Sequence, residues 1–398
     1  MVFHPQTMLQ HDSRVERDER EFWTSRQRQA SSLHEISYRA CFKPQLPRFF
    51  IERYTQPGDL VYDPFMGRGT TIIEAALLGR RVAGNDVNPL STIMTLPRLN
   101  IPSLAEVEER LRAIRLSPNA KSDIDLSMFF HRKTLAEIVS LRRYLARRKA
   151  TGEEDRVDMW IRMVATNRLT GHSKGFFSVY TLPPNQATSP SSQKKINALR
   201  KQKPEYRNVK ALILKKTRSL LRNVTPEQLS TLHRIGATAV LSSQVAHHTA
   251  HIRSGAVQLT VTSPPFLDIV QYTNDNWLRC WFNMIDAEEV SKRMTLARTV
   301  EEWGTEMQKV FHELYRITKP GGFVAFEVGE VRKGSIELEK HVVPLGRNAG
   351  FECEAILINR QSFTKTANIW GIHNNQAGTN TNRIVLFKKE NSRRPRGS

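Results

Sequence analysis

Two short stretches of this chain hold residues whose types and spacing could do chemistry: Val61-Tyr-Asp-Pro-Phe-Met-Gly-Arg-Gly-Thr70 and, far downstream, Thr262-Ser-Pro-Pro-Phe266. In the first, Gly67 and Gly69 let the backbone come close to a bound molecule, as glycine turns between a strand and a helix do. A dinucleotide turn would need a further glycine; here Thr70 and Thr71 open the helix, and their hydroxyls and amides suit a carboxylate. The ligand this describes is an adenosine that carries an amino acid. Asp63 stands at the turn entrance, placed to orient the turn or to accept from an ammonium group. Asp86, just past the next strand, is placed to accept two ribose hydroxyls, or else to cap the turn at Asn88-Pro89.

The second stretch suits a planar amine. The exocyclic amino group of cytosine or adenine is a poor nucleophile because its lone pair is delocalised into the ring. Acceptors that hold both N–H bonds draw the nitrogen towards tetrahedral geometry. Ser263 Oγ and the Pro264 carbonyl are such acceptors, while Pro264 and Pro265 stiffen the turn and remove competing donors. Phe266 can stack on the base, which must first leave its duplex stack. Read alone, Ser-Pro-Pro is also a proline turn behind a core strand with Phe266 packed inside. Its position directly after the apolar run Val257–Val261 favours the chemical reading.

These residues need elements to position them. Asp59–Tyr62 reads as a strand, Thr70–Leu78 as an amphipathic helix and Arg81–Ala83 as a second strand, together a βαβ unit. Ala237–Leu241 and Val257–Val261 read as buried parallel strands. A helix over Val300–Ile317 stops at Lys319-Pro-Gly-Gly322, a strand Phe323–Val328 follows, and Glu352–Ile358 with Arg383–Lys388 form a terminal pair. Between Asn100 and Ile235 the alternation ceases, and Leu135–Arg148 and Asp155–Arg168 read as helices. The expected fold is a doubly wound α/β sheet with a large insertion.

Composition bounds the partners. With 398 residues and 39% hydrophobic content the chain can bury a sizeable core. No run approaches the roughly 18 apolar residues of a membrane span and no apolar leader opens the chain, so the expected location is the cytoplasm. Cys41, Cys280 and Cys353 read as packing residues. A net charge of +21 points to a polyanion, usually nucleic acid. Between Gly171 and Ile235 thirteen Lys/Arg face two acids, Glu205 and Glu227, more than half of the whole excess. His247-His248-Thr-Ala-His251 lacks the glutamate of a His-Glu-x-x-His site and reads as a polar loop, so no metal is expected.

Taken together, the motifs resemble those of amino-group DNA methyltransferases of the cytosine-N4/adenine-N6 family, over roughly Ser31–Pro102 and Ala237–Lys389. The resemblance implies a Rossmann-like methyltransferase sheet with S-adenosyl-L-methionine as cofactor. It implies a cofactor site at Asp63, Phe65, Gly67, Gly69, Thr70 and Asp86, with Lys43 and Pro44 near the methionine moiety. Ser263, Pro264, Pro265 and Phe266 match the catalytic turn. In this family the Ser-Pro-Pro-aromatic form is associated with cytosine N4 and the Asp- or Asn-Pro-Pro form with adenine N6, which favours cytosine. Three departures stand out. Arg68 replaces a small residue and is expected to meet substrate phosphate or solvent. Ser243 stands where an acid often contacts the adenine ring, and Phe266 replaces a tyrosine.

The resulting organisation is an N-terminal helical extension at 1–30, a catalytic domain at 31–100 and 236–390, a mainly helical, basic DNA-recognition insertion at 101–235, and a basic tail at 391–398. Lys174, Lys194, Lys195 and Arg200 are candidate phosphate contacts, and Asn185 and Gln186 candidate base readers. A solvated basic face is the alternative for each lysine. The implied substrate is double-stranded DNA, and a restriction endonuclease is a partner such enzymes have. Adenine-N6 methylation, RNA methylation and a non-catalytic nucleic-acid binder remain the alternative readings.

Overall fold

The computed structural model describes residues 15–20, 22, 30–38, 41–181, 187–265, 272–294, 297, 299–328, 330–331, 336–360 and 381–391. An edge strand, β1 (Glu16–Arg20), and a 3₁₀ turn at Ser32–His34 lead to α1 (Gln45–Tyr54). The βαβ unit follows as β2 (Leu60–Asp63), α2 (Thr70–Leu77) and β3 (Arg81–Asn85). Among the described residues seven helices then run without a strand: α3 (Leu90–Thr95), α4 (Leu104–Ala113), α5 (Arg132–Ala150), α6 (Arg156–Arg168), α7 (Pro190–Leu199), α8 (Val209–Leu221) and α9 (Pro226–Gly236). The sheet resumes with β4 (Val240–Ser242) and β5 (Val257–Thr262). Helices α10 (Tyr272–Asn283), α11 (Ala287–Arg293) and α12 (Val300–Ile317) carry the chain to β6 (Thr318–Val328). A small pair, β7 (Glu330–Val331) and β8 (Ile336–Glu337), precedes α13 (Leu338–Asn348), β9 (Glu352–Arg360) and β10 (Thr381–Lys388).

Local chemistry accounts for the helix starts. Ser103 with Glu106 and Thr225 with Gln228 form capping boxes on α4 and α9, and Asp155 caps two amides of α6. Lys319-Pro-Gly-Gly322 has the composition of a turn, but it lies inside β6. Gly321 there has φ +75°, and the register against β5 slips between Val257 and Leu259. The four residues are absorbed as an irregularity of the strand.

The main sheet has the order β1-β9-β10-β6-β5-β2-β3-β4. Strand β10 runs antiparallel to both β6 and β9; the other neighbours pair parallel. This is the expected doubly wound, Rossmann-like sheet. The chain order reverses between β2 and β5, so the glycine turn and the Ser-Pro-Pro turn leave the carboxyl ends of two neighbouring strands. In open α/β sheets that is where ligands bind.

Two corrections concern the edges. The stretch expected to be helical contributes β1, whose Glu-Arg-Asp-Glu-Arg sequence has no apolar stripe and instead pairs parallel with β9. Charged side chains there also shield an otherwise open sheet edge. Strand β4 is the opposite edge and leaves Val240 42% exposed, so it is not a buried strand, contrary to the expectation from its sequence.

Alternation along the strands makes two apolar faces. Val61 joins a core with Phe50 of α1 and Ile72 of α2, while its neighbour Tyr62 joins a core with Phe311 of α12 and Phe326 of β6. Leu145, Trp160 and Ile213 of the intervening helices belong to the first of these cores. The helical segment is therefore packed into the same core as the glycine-turn helix. Trp160 is fully buried and donates from Nε1 to Thr217 Oγ1 at 3.0 Å, tying α6 to α8. Trp160→Ala is expected to cost about 3–5 kcal/mol. Urea unfolding should show one transition shifted as a whole; an early transition confined to helical signal would contradict the shared core.

Candidate active site

A cleft of about 1150 Å³, its open mouth included, lies over the carboxyl ends of β2 and β5. The two motifs form opposite parts of its wall. Asp63, Phe65, Gly67, Thr70 and Asp86 line it from one side, and Ser263, Pro264 and Pro265 from the other. Phe266, Asn185 and Gln186 fall outside the described residues.

The two turns are stitched together. Thr262 Oγ1 donates to Asp63 Oδ1 at 2.7 Å, and Thr71 Oγ1 donates to the Val261 carbonyl at 3.1 Å. Asp63 Oδ1 also accepts the Phe65 amide at 3.1 Å, which sets the turn. Asp86 accepts the Gly67 amide on one oxygen and the Asn88 amide on the other, both at 2.9 Å. Asp86 caps the turn at Asn88 and lines the cleft.

The glycines act differently from the expectation that their amides face a ligand. The Gly67 amide goes to Asp86, and the Gly69 amide donates to the Met66 carbonyl at 2.6 Å. Gly69 is instead required by shape, with φ +76° and a Cβ position that would lie 2.3 Å from Thr95 Oγ1. Gly69 does not line the cleft. Lys43 and Pro44 are not among its lining residues, and Pro44 is the N-cap of α1; Cys41 and Phe42 line the cleft just before them in the chain. Ser243 is likewise set back, its carbonyl taken by Arg293 at 3.3 Å, and Val245, Ala246 and His247 face the cleft in its place. Lys174, Lys194, Lys195 and Arg200 are exposed and do not line the cleft.

Arg68 is half-buried and binds within the chain. Its guanidinium donates to the carbonyls of Ile36 at 2.8 Å and His34 at 3.3 Å, and its Nε to Thr70 Oγ1 at 3.2 Å. The large residue clamps the segment Ser31–Tyr38 onto the glycine turn, a contact a serine could not make.

Two site residues are not legible in the sequence. Trp303 of α12 donates from Nε1 to the Pro265 carbonyl at 3.1 Å and so fixes the proline turn. Glu327, near the end of β6, lies close enough to Ser263 for the serine to favour its charged form, and it accepts Asn382 Nδ2 at 2.9 Å. Burial pushes its carboxyl above the usual range, and Ser263 and the Asn382 bond oppose this in part. The available signal was one acid in the apolar run Phe-Val-Ala-Phe-Glu-Val of a central strand.

Comparison with known proteins agrees with this geometry. Residues 5–91 match the N6/N4 DNA methylase family model. The chain is 33% identical over 76 residues to the type II methyltransferase M.MjaII of Methanocaldococcus jannaschii, covering 19% of this chain and 14% of that protein. It is 44% identical over 61 residues to M.MvaI of Kocuria varians, covering 15% and 13%. With M.BsoBI of Geobacillus stearothermophilus the match is longer, 21% identity over 322 residues, covering 71% of this chain and 60% of that one. The matched segments thus span about a seventh of the length of the first two relatives. The likeness is to amino-group DNA methylases of the N6/N4 type.

Burial raises the Asp63 carboxyl to about 7, against the Thr262 and Phe65 hydrogen bonds. The unfolded chain loses that proton near pH 4, at about 3.9. The stabilisation from holding it is therefore complete below about pH 4 and is lost as pH rises through about 7. Asp63→Asn removes the titration, so between pH 5 and 7.5 the urea midpoint of the wild type should fall relative to the variant. Parallel pH curves would contradict the buried carboxyl.

Proposed function

We propose that this protein is a DNA methyltransferase that uses S-adenosyl-L-methionine and modifies the N4 amino group of cytosine in a base rotated out of the duplex. The observation that carries this reading is Ser263, next to buried Glu327, in the same cleft as the glycine turn. The donor set fits the cofactor: two carboxylates, Asp63 and Asp86, line a wall shaped by left-handed Gly67 and flanked by Phe42 and Phe65. Asp86 would hold the ribose hydroxyls, Asp63 or Thr70 the amino-acid end, and Val245 to His247 the adenine side. Bound there, S-adenosyl-L-methionine supplies a methyl group on a sulfonium, an electrophile that a cytosine amine can use only when activated.

The chain's own residues provide the activation. With its proton directed to Glu327, Ser263 Oγ keeps its lone pairs for an amine N–H, and the Pro264 carbonyl takes the other. Trp303 and the two prolines hold these acceptors in place before the base arrives, so no reorganisation is needed when charge develops. The proton that the amine releases passes through Ser263 to Glu327, whose raised affinity suits it as an acceptor. The serine form of the motif favours cytosine; adenine-N6 chemistry uses the same acceptors. Duplex DNA as substrate is supported by the net charge of +21 and by exposed Lys174, Lys194, Lys195 and Arg200 on the helical segment.

Mass spectrometry of nucleosides from DNA treated with the protein and cofactor should find N4-methylcytosine. N6-methyladenine would move the assignment to the other base, and no methylated nucleoside would refute the activity. Glu327→Gln should lower kcat on the order of 100-fold while leaving cofactor Kd unchanged, and should remove the acid limb of the pH–rate profile. An unchanged profile would exclude Glu327 as the proton acceptor. Replacing Lys194, Lys195 and Arg200 by alanine should weaken DNA binding and flatten its salt dependence, by up to about 0.9 in slope for each phosphate no longer neutralised. An unaltered slope would remove them from the interface.

A further inference from the structure

Leu199, the last residue of α7, is 86% exposed, the most exposed large hydrophobic side chain among the described residues. A single exposed leucine is ordinary in itself. What sets this one apart is how it is held. Gln193 is fully buried, and its Nε2 donates to the Tyr180 carbonyl at 3.0 Å and to Asn197 Oδ1 at 2.7 Å. Gln202, beyond the helix, donates to the same two oxygens at 3.0 and 2.8 Å, and Asn197 Nδ2 donates to the Met128 carbonyl at 2.8 Å. Lys201 closes the helix in the left-handed conformation, φ +48°, with its amide on the Ala198 carbonyl at 3.1 Å. The Arg200 guanidinium lies over the Tyr180 ring, 3.9 Å from its centre. Three interlocked amides and an uncommon backbone conformation thus fix the helix end, and the residue presented at that end is a leucine facing water.

Its surroundings are cationic. From Lys194 to Lys203 the chain holds Lys194, Lys195, Arg200, Lys201 and Lys203 and no acid. Asp125 acts electrostatically on Lys194, and Glu205 is the next acid along the chain. A protein partner is a poor fit, because stable interfaces bury ~1,200 Å² or more and are depleted in lysine. An apolar tip in a lysine and arginine rim fits a duplex, where cations take the phosphates and an apolar side chain enters between base steps. The other end of α7 is tied to α10, which follows the Ser-Pro-Pro turn in the chain. The Ala187 amide donates to the Asp275 carbonyl at 3.1 Å, and Trp277 Nε1 donates to the Thr188 carbonyl at 3.3 Å.

We propose that Leu199 is a wedge that enters the base stack of bound duplex DNA and kinks it at a step separate from the target base. This rests on the reading of the protein as a DNA methyltransferase. Ten helical residues span about 15 Å, or four to five base steps of about 3.4 Å. Laid along the duplex, the helix would set the wedge step several base pairs from the methylated one. The kink brings more of the duplex against the basic helical segment, which offsets the cost of unstacking.

The test uses the full-length protein and a duplex carrying the sequence it methylates, mapped from its modified positions, with 2-aminopurine placed at successive steps. The wild type should brighten two positions, the neighbour of the target base and a step several base pairs away. Leu199→Ala should abolish only the second, weaken duplex binding about tenfold, and leave the slope of log Kd against log salt unchanged. Leu199→Met should restore both affinity and signal. The paired variant Lys194→Ala/Lys195→Ala should alter the salt slope and keep the second signal. Normal methylation with no signal dependent on Leu199 would overturn this inference alone. A wild type that neither binds nor methylates the duplex would overturn the methyltransferase reading as well. Binding to phosphatidylserine vesicles that Leu199→Ala abolishes, with DNA binding intact, would reassign the leucine to a membrane surface and overturn the wedge.

Discussion

Everything at the cleft depends on one parallel pairing and the bond at its end. Strand β2 pairs with β5 through Val61 and Leu259 and through Tyr62 and Thr260. Beyond that ladder, buried Asp63 takes the Thr262 hydroxyl. Asp63 begins the glycine turn and Thr262 stands immediately before Ser263, so this hydrogen bond, with that of Thr71 to the Val261 carbonyl, sets the separation of the two turns. Burial makes the bond costly to lose, because an unpaired buried acceptor bears its full desolvation cost. The cavity, the reach from Ser263 to Glu327 and the Trp303 brace on Pro265 all assume this separation.

A second constraint ties that centre to the helices. The segment Ser31–Tyr38 is bonded to α2, α6, α8, α10 and the glycine turn. Ser32 binds Asn223 through its amide at 2.8 Å and the Leu220 carbonyl of α8 through its hydroxyl at 2.6 Å. His34 meets Glu74 of α2 at 2.6 Å, and burial lowers its pKa. The Ser37 carbonyl accepts Asn167 of α6 at 3.0 Å and Arg279 of α10 at 3.1 Å. Arg68 and buried Arg98 hold the carbonyls between them. The segment is a strap with the glycine turn on one side and the basic helices on the other. A change in helix position is therefore felt at the cofactor turn through defined bonds.

The sheet and the two turns were legible because their signals are local. Apolar runs of strand length, glycines at the turn and prolines after a core strand each constrain their own neighbours. What could not be read depends on partners remote in the chain. Glu327 is an ordinary strand residue until β5 is laid beside β6 and brings Ser263 to it. Arg68 looks like a surface substitution until the strap folds over it. Glu16–Arg20 has a composition suited to a solvated helix, and only the free edge of β9 makes it a strand. The glycine amides show the reverse: the motif is legible as a turn, but its own hydrogen bonds, rather than a ligand, take the amides.

The central claim is that the two turns form one reaction centre because the Asp63–Thr262 bond joins them. A double-mutant cycle on methyl transfer from labelled S-adenosyl-L-methionine to DNA tests it most directly, with Asp63→Ala, Thr262→Val and the two combined. Residues that act as a unit are strongly non-additive. The combined variant should turn over about as slowly as the slower single variant. Losses that multiply in the combined variant would contradict this, and would show that the two turns contribute independently.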